Sequence, residues 1–297
     1  MPVFPYLCPE MKNYSIDELH LLTLHVGLAY HDGDWNFHNV RSPFARLYLV
    51  VEGTARISLP TGCYDLTPEH LYFIPPFTTH SYYCDSPFTH YYIHIYEERN
   101  GGTSILDELD FPVEVEAEAY DIDLMKRLVG INPFLRLPTP NPDVYDNHPT
   151  LVSNLQQNLR RPFCDKVESR GILFLLFSRF LQHATPKAEL RDSRVEQALV
   201  FIRQHLCSAI DVNQLASMSS LSRDHFIRIF RQATGETPKS YVLKRRMETA
   251  ELRLLTSEDS IKQIALSLGY EDYSYFTKSF KAFSGMTPQE YRKKHHE

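Results

Sequence analysis

Hydrophobic positions along this 297-residue chain change period from one end to the other. From about residue 20 to 97 the apolar residues come in short dense runs: LLTLHVGLAY, RLYLVVEG, TARISLP, LYFIPPFTTHSYY and HYYIHIYE. Turn signals such as Asp32-Gly33, Thr61-Gly62 and Ser86-Pro87 separate them. β-Branched and aromatic runs at this spacing predict the strands of a small sandwich or barrel. A proline-rich stretch without a period, 135–149, then reads as a loop or strap. Helical patterns follow at roughly 150–160 and 165–183. The second contains GILFLLFSRFL, apolar almost all round, which predicts a helix buried on several sides, either within its own chain or against a partner's copy. Residues 184–193 turn polar and read as a linker.

The last hundred residues repeat themselves. HFIRIFRQATGETPKSY (225–241) aligns with YFTKSFKAFSGMTPQEY (275–291) at an offset of fifty. Phe226 and Phe230 pair with Phe276 and Phe280, Gly235 with Gly285, and Thr237, Pro238 and Tyr241 with Thr287, Pro288 and Tyr291. Upstream, Leu215-Ala216 corresponds to Ile264-Ala265, with turns of slightly different length between the helices. Each copy predicts a short helix, a tight turn and a second helix whose outer face is polar and basic. The first copy runs through Val212–Ser217, a turn at Ser219-Ser220 and a helix capped by Ser222. The second has a helix capped at Asp259-Ser260, a stop at Gly269 and a helix capped by Asp272 or Ser274. That layout is a helix-turn-helix, whose second helix enters the major groove. Between the copies, Tyr241 to Leu255 lacks Gly and Pro and predicts a rigid spacer helix. Such a spacer lets two recognition helices reach successive major grooves about 34 Å apart.

Charge sharpens this picture. The net charge of −6 divides unevenly: residues 191–297 hold 17 Lys and Arg against 13 Asp and Glu, a net of +4. Residues 1–190 hold 14 against 24, a net of −10. A basic tail on an acidic body places nucleic-acid binding at one end. No apolar run is long enough for a membrane helix, and MPVFPYLCPEMKNY lacks the order of a signal peptide. Cys8, Cys63, Cys84, Cys164 and Cys207 show no paired spacing. Together these features predict a cytoplasmic protein with reduced thiols.

The tail resembles the AraC/XylS transcription regulators. Leu215-Ala216, Leu221-Ser222, Phe226, Phe230-Arg231, Thr234-Gly235, Pro238, Tyr241, Arg246, Ala250 and Leu254-Leu255 match the first half of that family's DNA-binding domain. Ile261, Ile264-Ala265, Gly269-Tyr270, Asp272, Tyr275-Phe276, Phe280-Lys281, Gly285, Thr287-Pro288 and Tyr291-Arg292 match the second. Ser219 departs from it, standing where the family has an apolar residue, which predicts looser packing of the first motif. The residues expected to reach base edges are Arg223, Asp224, Ile227 and Arg228, with Tyr273, Ser274, Thr277 and Lys278 as counterparts. Ser222 at the helix start, Arg231, Arg246 and Lys281 are expected to hold phosphates.

The segment from Leu47 to His80 resembles the cupin-type sensor barrel at the head of such regulators. Cupins suggest metal, and His31, His38, His80, His90 and His94 are candidate ligands. The stretch WNFHNVRSPFARLYLVVEG has His38 without the His-x-His pair of enzymatic cupins, so a metal-free barrel is the favoured reading. By resemblance to sugar-sensing members, Tyr82, His90 and Tyr92 fall at ligand contacts, with His80 beside them and Trp35 and Arg41 or Arg46 as looser candidates.

The expected architecture is a two-domain α+β chain. It comprises an N-terminal cupin-like β-barrel with dimerisation helices (1–183), a linker (184–193) and a C-terminal all-α tandem helix-turn-helix domain (194–297). The expected function is sequence-specific binding of double-stranded DNA by a non-enzymatic, cofactor-free transcription regulator. It is read as a homodimeric activator that recruits RNA polymerase in response to a small molecule, a sugar among the candidates. Two rivals stay open: a metal-dependent cupin enzyme with a DNA-binding tail, and a ligand-independent DNA-binding dimer.

Overall fold

A computed structural model of the chain describes residues 16–97, 105–142, 154, 157–158, 160–186 and 193–294. Most of the helix expected at 150–160 and of the linker expected at 184–193 lies outside the described residues, as do Cys8 and the end of the proline-rich strap. The chain divides into two compact units, one drawn from 1–98 and 109–185, the other from 99–108 and 186–297.

The first unit is built from strands β1 (Leu21–Asp32), β2 (Phe37–Val40), β3 (Ala45–Gly53), β4 (Ala55–Leu59), β5 (Gly62–Leu66), β6 (His70–Ile74), β7 (His80–Tyr83) and β8 (Pro87–Glu97). After a short helix α1 (Ile105–Glu108), which groups with the second unit, come β9 (Leu109–Asp110) and β10 (Glu114–Glu116). Five strands form one sheet in the order β1-β8-β3-β6-β10, and four form another in the order β2-β7-β4-β5. The predicted barrel thus takes the form of two sheets sharing one core rather than a closed ring. Trp35, Tyr48, Val50, Ile57, Leu66, Tyr72, Tyr82, Phe88 and Tyr92 from both sheets meet in it. Along β4 the alternation is plain: Ala55, Ile57 and Leu59 point in, Arg56 out.

The larger sheet is buried on its other face too, which is why β3 reads as an almost unbroken apolar run. There Phe73 on β6 meets Phe177 and Phe180 at ring distances of 5.6 and 5.4 Å. These belong to α3 (Phe163–Leu181), which with α2 (Asp121–Ile131) packs on β1. Helix α2 went unpredicted, though Met125, Leu128 and Val129 are buried at helical spacing. It is pinned to α3 by the buried Asp121 carboxylate, which accepts from Arg179 at 3.2 and 3.3 Å. Helix α3 is less enclosed than its composition implied: Ile172, Leu173, Leu176, Phe177 and Phe180 are buried, while Phe163, Val167 and Leu175 are exposed.

The second unit continues with α4 (Ser193–Gln204), α5 (Val212–Met218), α6 (Arg223–Thr234), α7 (Pro238–Thr256), α8 (Ile261–Ser267), α9 (Tyr273–Ser284) and α10 (Pro288–Lys294). The fifty-residue repeat in sequence is a repeat in contacts. Phe230 meets Tyr241 edge-on at 5.7 Å, and Phe280 meets Tyr291 edge-on at 5.4 Å. Thr234 Oγ1 donates to the carbonyls of Phe230 and Glu236, and Ser284 Oγ to those of Phe280 and Met286. Both recognition helices end on a left-handed glycine, Gly235 and Gly285. The spacer α7 contacts α6 of the first motif and α8, α9 and α10 of the second, so it joins the two halves by packing as well as by chain.

The turns inside the motifs differ. Helix α8 starts with a capping box between Ser260 and Gln263, Asp259 standing outside it, and stops at Gly269 with φ 78°. A Cβ on Gly269 would lie 2.7 Å from the Cys207 carbonyl oxygen. The equivalent place in the first motif is Ser220, held at φ 53°, a conformation that costs a non-glycine residue about 1–2 kcal/mol. Ser219, expected to loosen the first motif, is buried with its hydroxyl bonded to the carbonyls of Leu215 and Arg194 at 3.0 and 3.2 Å. Its polarity is therefore satisfied. In urea unfolding of the full-length protein, Ser220→Gly is expected to raise stability by about 0.5 kcal/mol, the relief of strain less the entropy of glycine. Gly269→Ala should lower it by more than about 1 kcal/mol, and equal small changes at both sites would contradict this reading.

Candidate nucleic-acid interface and barrel pocket

The rotation of each recognition helix about its axis decides which side chains it offers. On α6, Phe226, Phe230 and Thr234 are buried at helical spacing, which turns Ser222, Arg223, Asp224, Arg228 and Arg231 outward. Ile227 sits at the margin, half-buried. On α9, burial of Phe276 and Phe280 exposes Tyr273, Ser274, Lys278 and Lys281. Thr277 is half-buried and donates to the Tyr273 carbonyl at 3.0 Å. Among the described residues, Arg223, Arg228, Arg231 and Lys278 have no acidic partner. The helix starts differ: Asp272 caps α9 by accepting from the amides of Ser274 and Tyr275 at 2.7 and 3.2 Å. Ser222 makes no side-chain cap bond on α6, so the first amides of α6 stay available to an anion.

Arg246 is placed elsewhere than the phosphate-facing position expected of it. Its guanidinium donates to the carbonyls of Leu206 and Ser208 at 2.8 and 2.5 Å and lies over the Tyr270 ring. It therefore fastens α7 to the loop ahead of α5 and to the second motif, an internal role.

In the first unit a cavity of about 210 Å³ opens at the edge of the inter-sheet core. Of the predicted ligand residues, Trp35, His90 and Tyr92 line it. Tyr82 and His80 do not; they stand one layer behind, and Arg41 and Arg46 lie over the Phe77 and Phe44 rings, outside the lining. His80 Nδ1 donates to the Thr78 carbonyl at 2.8 Å, so its Nε2 accepts from the Tyr82 hydroxyl at 2.7 Å. Tyr82 in turn accepts from Tyr48 at 2.6 Å, and Tyr48 faces the cavity. Sequence reasoning missed Tyr48, His31 and His94 in the lining, along with strap residues Leu137, Pro138, Thr139 and Pro140. The strap is held by the Leu137 amide donating to the Tyr92 hydroxyl at 2.9 Å. Gly27 makes room for this, since a Cβ there would lie 2.4 Å from that hydroxyl.

Rings wall the cavity. Trp35 stacks on Tyr82 at 4.0 Å and on His31 at 5.1 Å, and His31 stacks on His90 at 5.3 Å. Two ring nitrogens here, His31 Nε2 and His90 Nδ1, are buried with no hydrogen-bond partner among the described residues. The candidate metal ligands do not converge: among the described residues no three His, Cys, Asp or Glu come together as a metal site. His38 is exposed on β2 beside Tyr83.

Burial keeps this histidine set neutral. Burial first, and then the Arg46 guanidinium, lowers His25 and His80 to about 3. Burial also takes His94 well below its ordinary value, helped chiefly by Arg46, and His90, helped by His31. Released by unfolding, each binds a proton near pH 6.5. Their stabilisation is complete above that pH and is lost as pH falls below it. Each histidine still neutral in the fold costs about 1.4 kcal/mol per pH unit. Urea unfolding followed by Trp35 fluorescence should show a steep loss of stability from pH 7 to 5, above the carboxylate range. A flat profile across that interval would contradict it.

With the geometry in place, comparison with known proteins is informative for the C-terminal part. Residues 215–294 match the family model described as a helix-turn-helix domain. An uncharacterised HTH-type transcriptional regulator of Haemophilus influenzae is 38% identical over 104 residues, 35% of this chain and 35% of that protein. The xylose operon regulatory protein of Escherichia coli K12 is 32% identical over 111 residues, 37% of this chain and 28% of that protein. The matched part spans about a third of these relatives' length. Among solved structures, the C-terminal domain of the response regulator yesN from Fusobacterium nucleatum is 31% identical. It covers 34% of this chain and 99% of that one at a TM-score of 0.33. Two helix-turn-helix units fifty residues apart, duplicated down to their Phe–Tyr contacts, fall on the matched segment, so residues 215–294 are a helix-turn-helix domain similar in sequence to those of bacterial transcription regulators.

Proposed function

We propose that the chain is a sequence-specific DNA-binding transcription regulator, an activator that recruits RNA polymerase. The observation that carries this reading is the pair of exposed, unneutralised basic faces on α6 and α9, held in one unit by α7. Arg228 and Lys278 project from equivalent positions of the two motifs to read bases, with Arg223, Asp224, Ile227, Tyr273, Ser274 and Thr277 beside them. Arg231, Lys281 and the open amides after Ser222 hold phosphates. Residues 1–183 act as sensor and dimerisation block and 194–297 as the DNA-binding domain, joined by the linker at 184–193.

Dimerisation runs through α3. Phe163, Val167 and Leu175 are exposed by 80%, 55% and 47% and lie on one stripe at four- and eight-residue spacing, with Gly171 between them. A Cβ on Gly171 would meet nothing within 4 Å. An apolar stripe this open, with a small residue at its centre, suits close approach of a second copy. Pairing would multiply affinity for paired half-sites by raising effective concentration. The barrel cavity is the effector site, and the similarity to a xylose operon regulator makes a sugar the first class to consider.

Selection of bound duplexes from a random pool by the full-length protein tests this. Expected is a motif with two elements about one helical turn apart, occurring in paired copies. Arg228→Ala should relax one element and Lys278→Ala the other, each costing about 1–3 kcal/mol at its own position. Val167→Glu should leave each two-element copy intact and remove the pairing. Binding without any enriched motif would overturn the proposal.

A further inference from the structure

The guanidinium of Arg246 stands where three parts of the C-terminal unit meet. The loop ahead of α5 belongs to the first motif, since its Leu206 and Ile210 pack on the core around Leu215, Phe226 and Phe230. Arg246 Nε donates to the Leu206 carbonyl at 2.8 Å and Nη2 to the Ser208 carbonyl at 2.5 Å. The same guanidinium lies 5.4 Å from the centre of the Tyr270 ring. Tyr270 belongs to the second motif: it is buried and meets Phe276 of α9 edge-on at 5.3 Å. A second contact runs beside the first. A Cβ on Gly269 would lie 2.7 Å from the Cys207 carbonyl oxygen and 3.4 Å from Arg246 Nη2, so the turn before α9 lies against the loop before α5.

We infer that this junction of Arg246, the loop at Leu206–Ser208 and the turn at Gly269-Tyr270 fixes the angle between the two motifs, and so makes the protein selective for one spacing between its two DNA elements. The inference rests on the reading of this unit as a DNA-binding domain. Each base pair added between the elements moves the second by about 3.4 Å and turns it by about 35° around the duplex. To follow that shift, the second motif has to tilt or rotate against the first. Both motifs pack on α7, but apolar packing is a non-directional attraction. Two hydrogen bonds, a covered ring and a close turn are directional, and together they admit one arrangement. An arginine suits the place, because its planar fork meets two acceptors at once while its face covers a ring. Its Nε and Nη2 are spent inside the protein, whereas Arg228 and Lys278 stand exposed on the recognition helices. Selectivity for spacing is therefore separable from selectivity for bases.

Arg246 is a positioning residue here. The test uses the full-length protein and the two-element duplex it selects, rebuilt with one base pair added or removed between the elements. For the parent, either change should weaken binding by about tenfold or more. Arg246→Met keeps the stem and removes the fork. It should cut that penalty to about threefold or less, with the base preferences inside each element and the salt dependence unchanged. Arg246→Lys, which can keep one carbonyl bond, should fall between the two, and it carries the test if the methionine variant does not fold. Gly269→Ala, which forces the turn off the loop, should widen the accepted spacing in the same assay. A salt slope smaller by about one, with the spacing penalty intact, would make Arg246 a phosphate contact and overturn the inference. A lower urea midpoint with the penalty intact would make it merely structural and overturn the inference equally. A parent that tolerates one base pair either way would overturn the spacing selectivity and leave the DNA-binding reading standing. A parent that selects no two-element motif would overturn both.

Discussion

The C-terminal unit depends on how two helices are rotated about their own axes. Pairs of phenylalanines one turn apart, Phe226 with Phe230 and Phe276 with Phe280, are fully buried. Each contributes about 1.5–3 kcal/mol by leaving water, far more than the few tenths that separate alternative exposed faces. Burying those rings leaves the helix one orientation, and Arg228 and Lys278 then have no choice but to face solvent. The edge-on contacts of Phe230 with Tyr241 and Phe280 with Tyr291 tie each recognition helix to the helix that follows it. The same packing that stabilises the fold therefore aims its charge.

The first unit works by the opposite economy of charge. Burial keeps the histidines of its cavity wall neutral, and polarity is expressed as fixed hydrogen-bond directions. The chain Thr78–His80–Tyr82–Tyr48 has its protons ordered by one carbonyl acceptor, and Asp34 orders His31 in the same way. Directionality of this kind lets a site tell a donor from an acceptor without a formal charge.

Much of this was legible in the sequence because it rests on period and spacing. The offset of fifty exposed the tandem motifs, and alternation or density of apolar residues exposed most strands. LYFIPPFTTHSYY proved to be two strands, β6 and β7, broken at Pro75-Pro76. What stayed hidden depends on contacts between residues distant in the chain. Arg246 looks like a surface cation until the carbonyls of Leu206 and Ser208 come within its reach. His31 looks like a turn residue until β1 pairs with β8 and brings it against His90. The short helix α2 has its apolar residues at the right spacing, but a single buried face of Met125, Leu128 and Val129 is a weak signal between acidic neighbours.

The central claim is that α7 holds two recognition helices at a spacing fit for adjacent major grooves. Hydroxyl-radical footprinting on a selected site, repeated with five base pairs inserted between its two elements, tests it most directly. The account predicts two protected stretches about 10 base pairs apart on one face of the duplex, with the second lost when the insertion turns its groove away. Protection of a single stretch, or of both stretches despite the insertion, would contradict it.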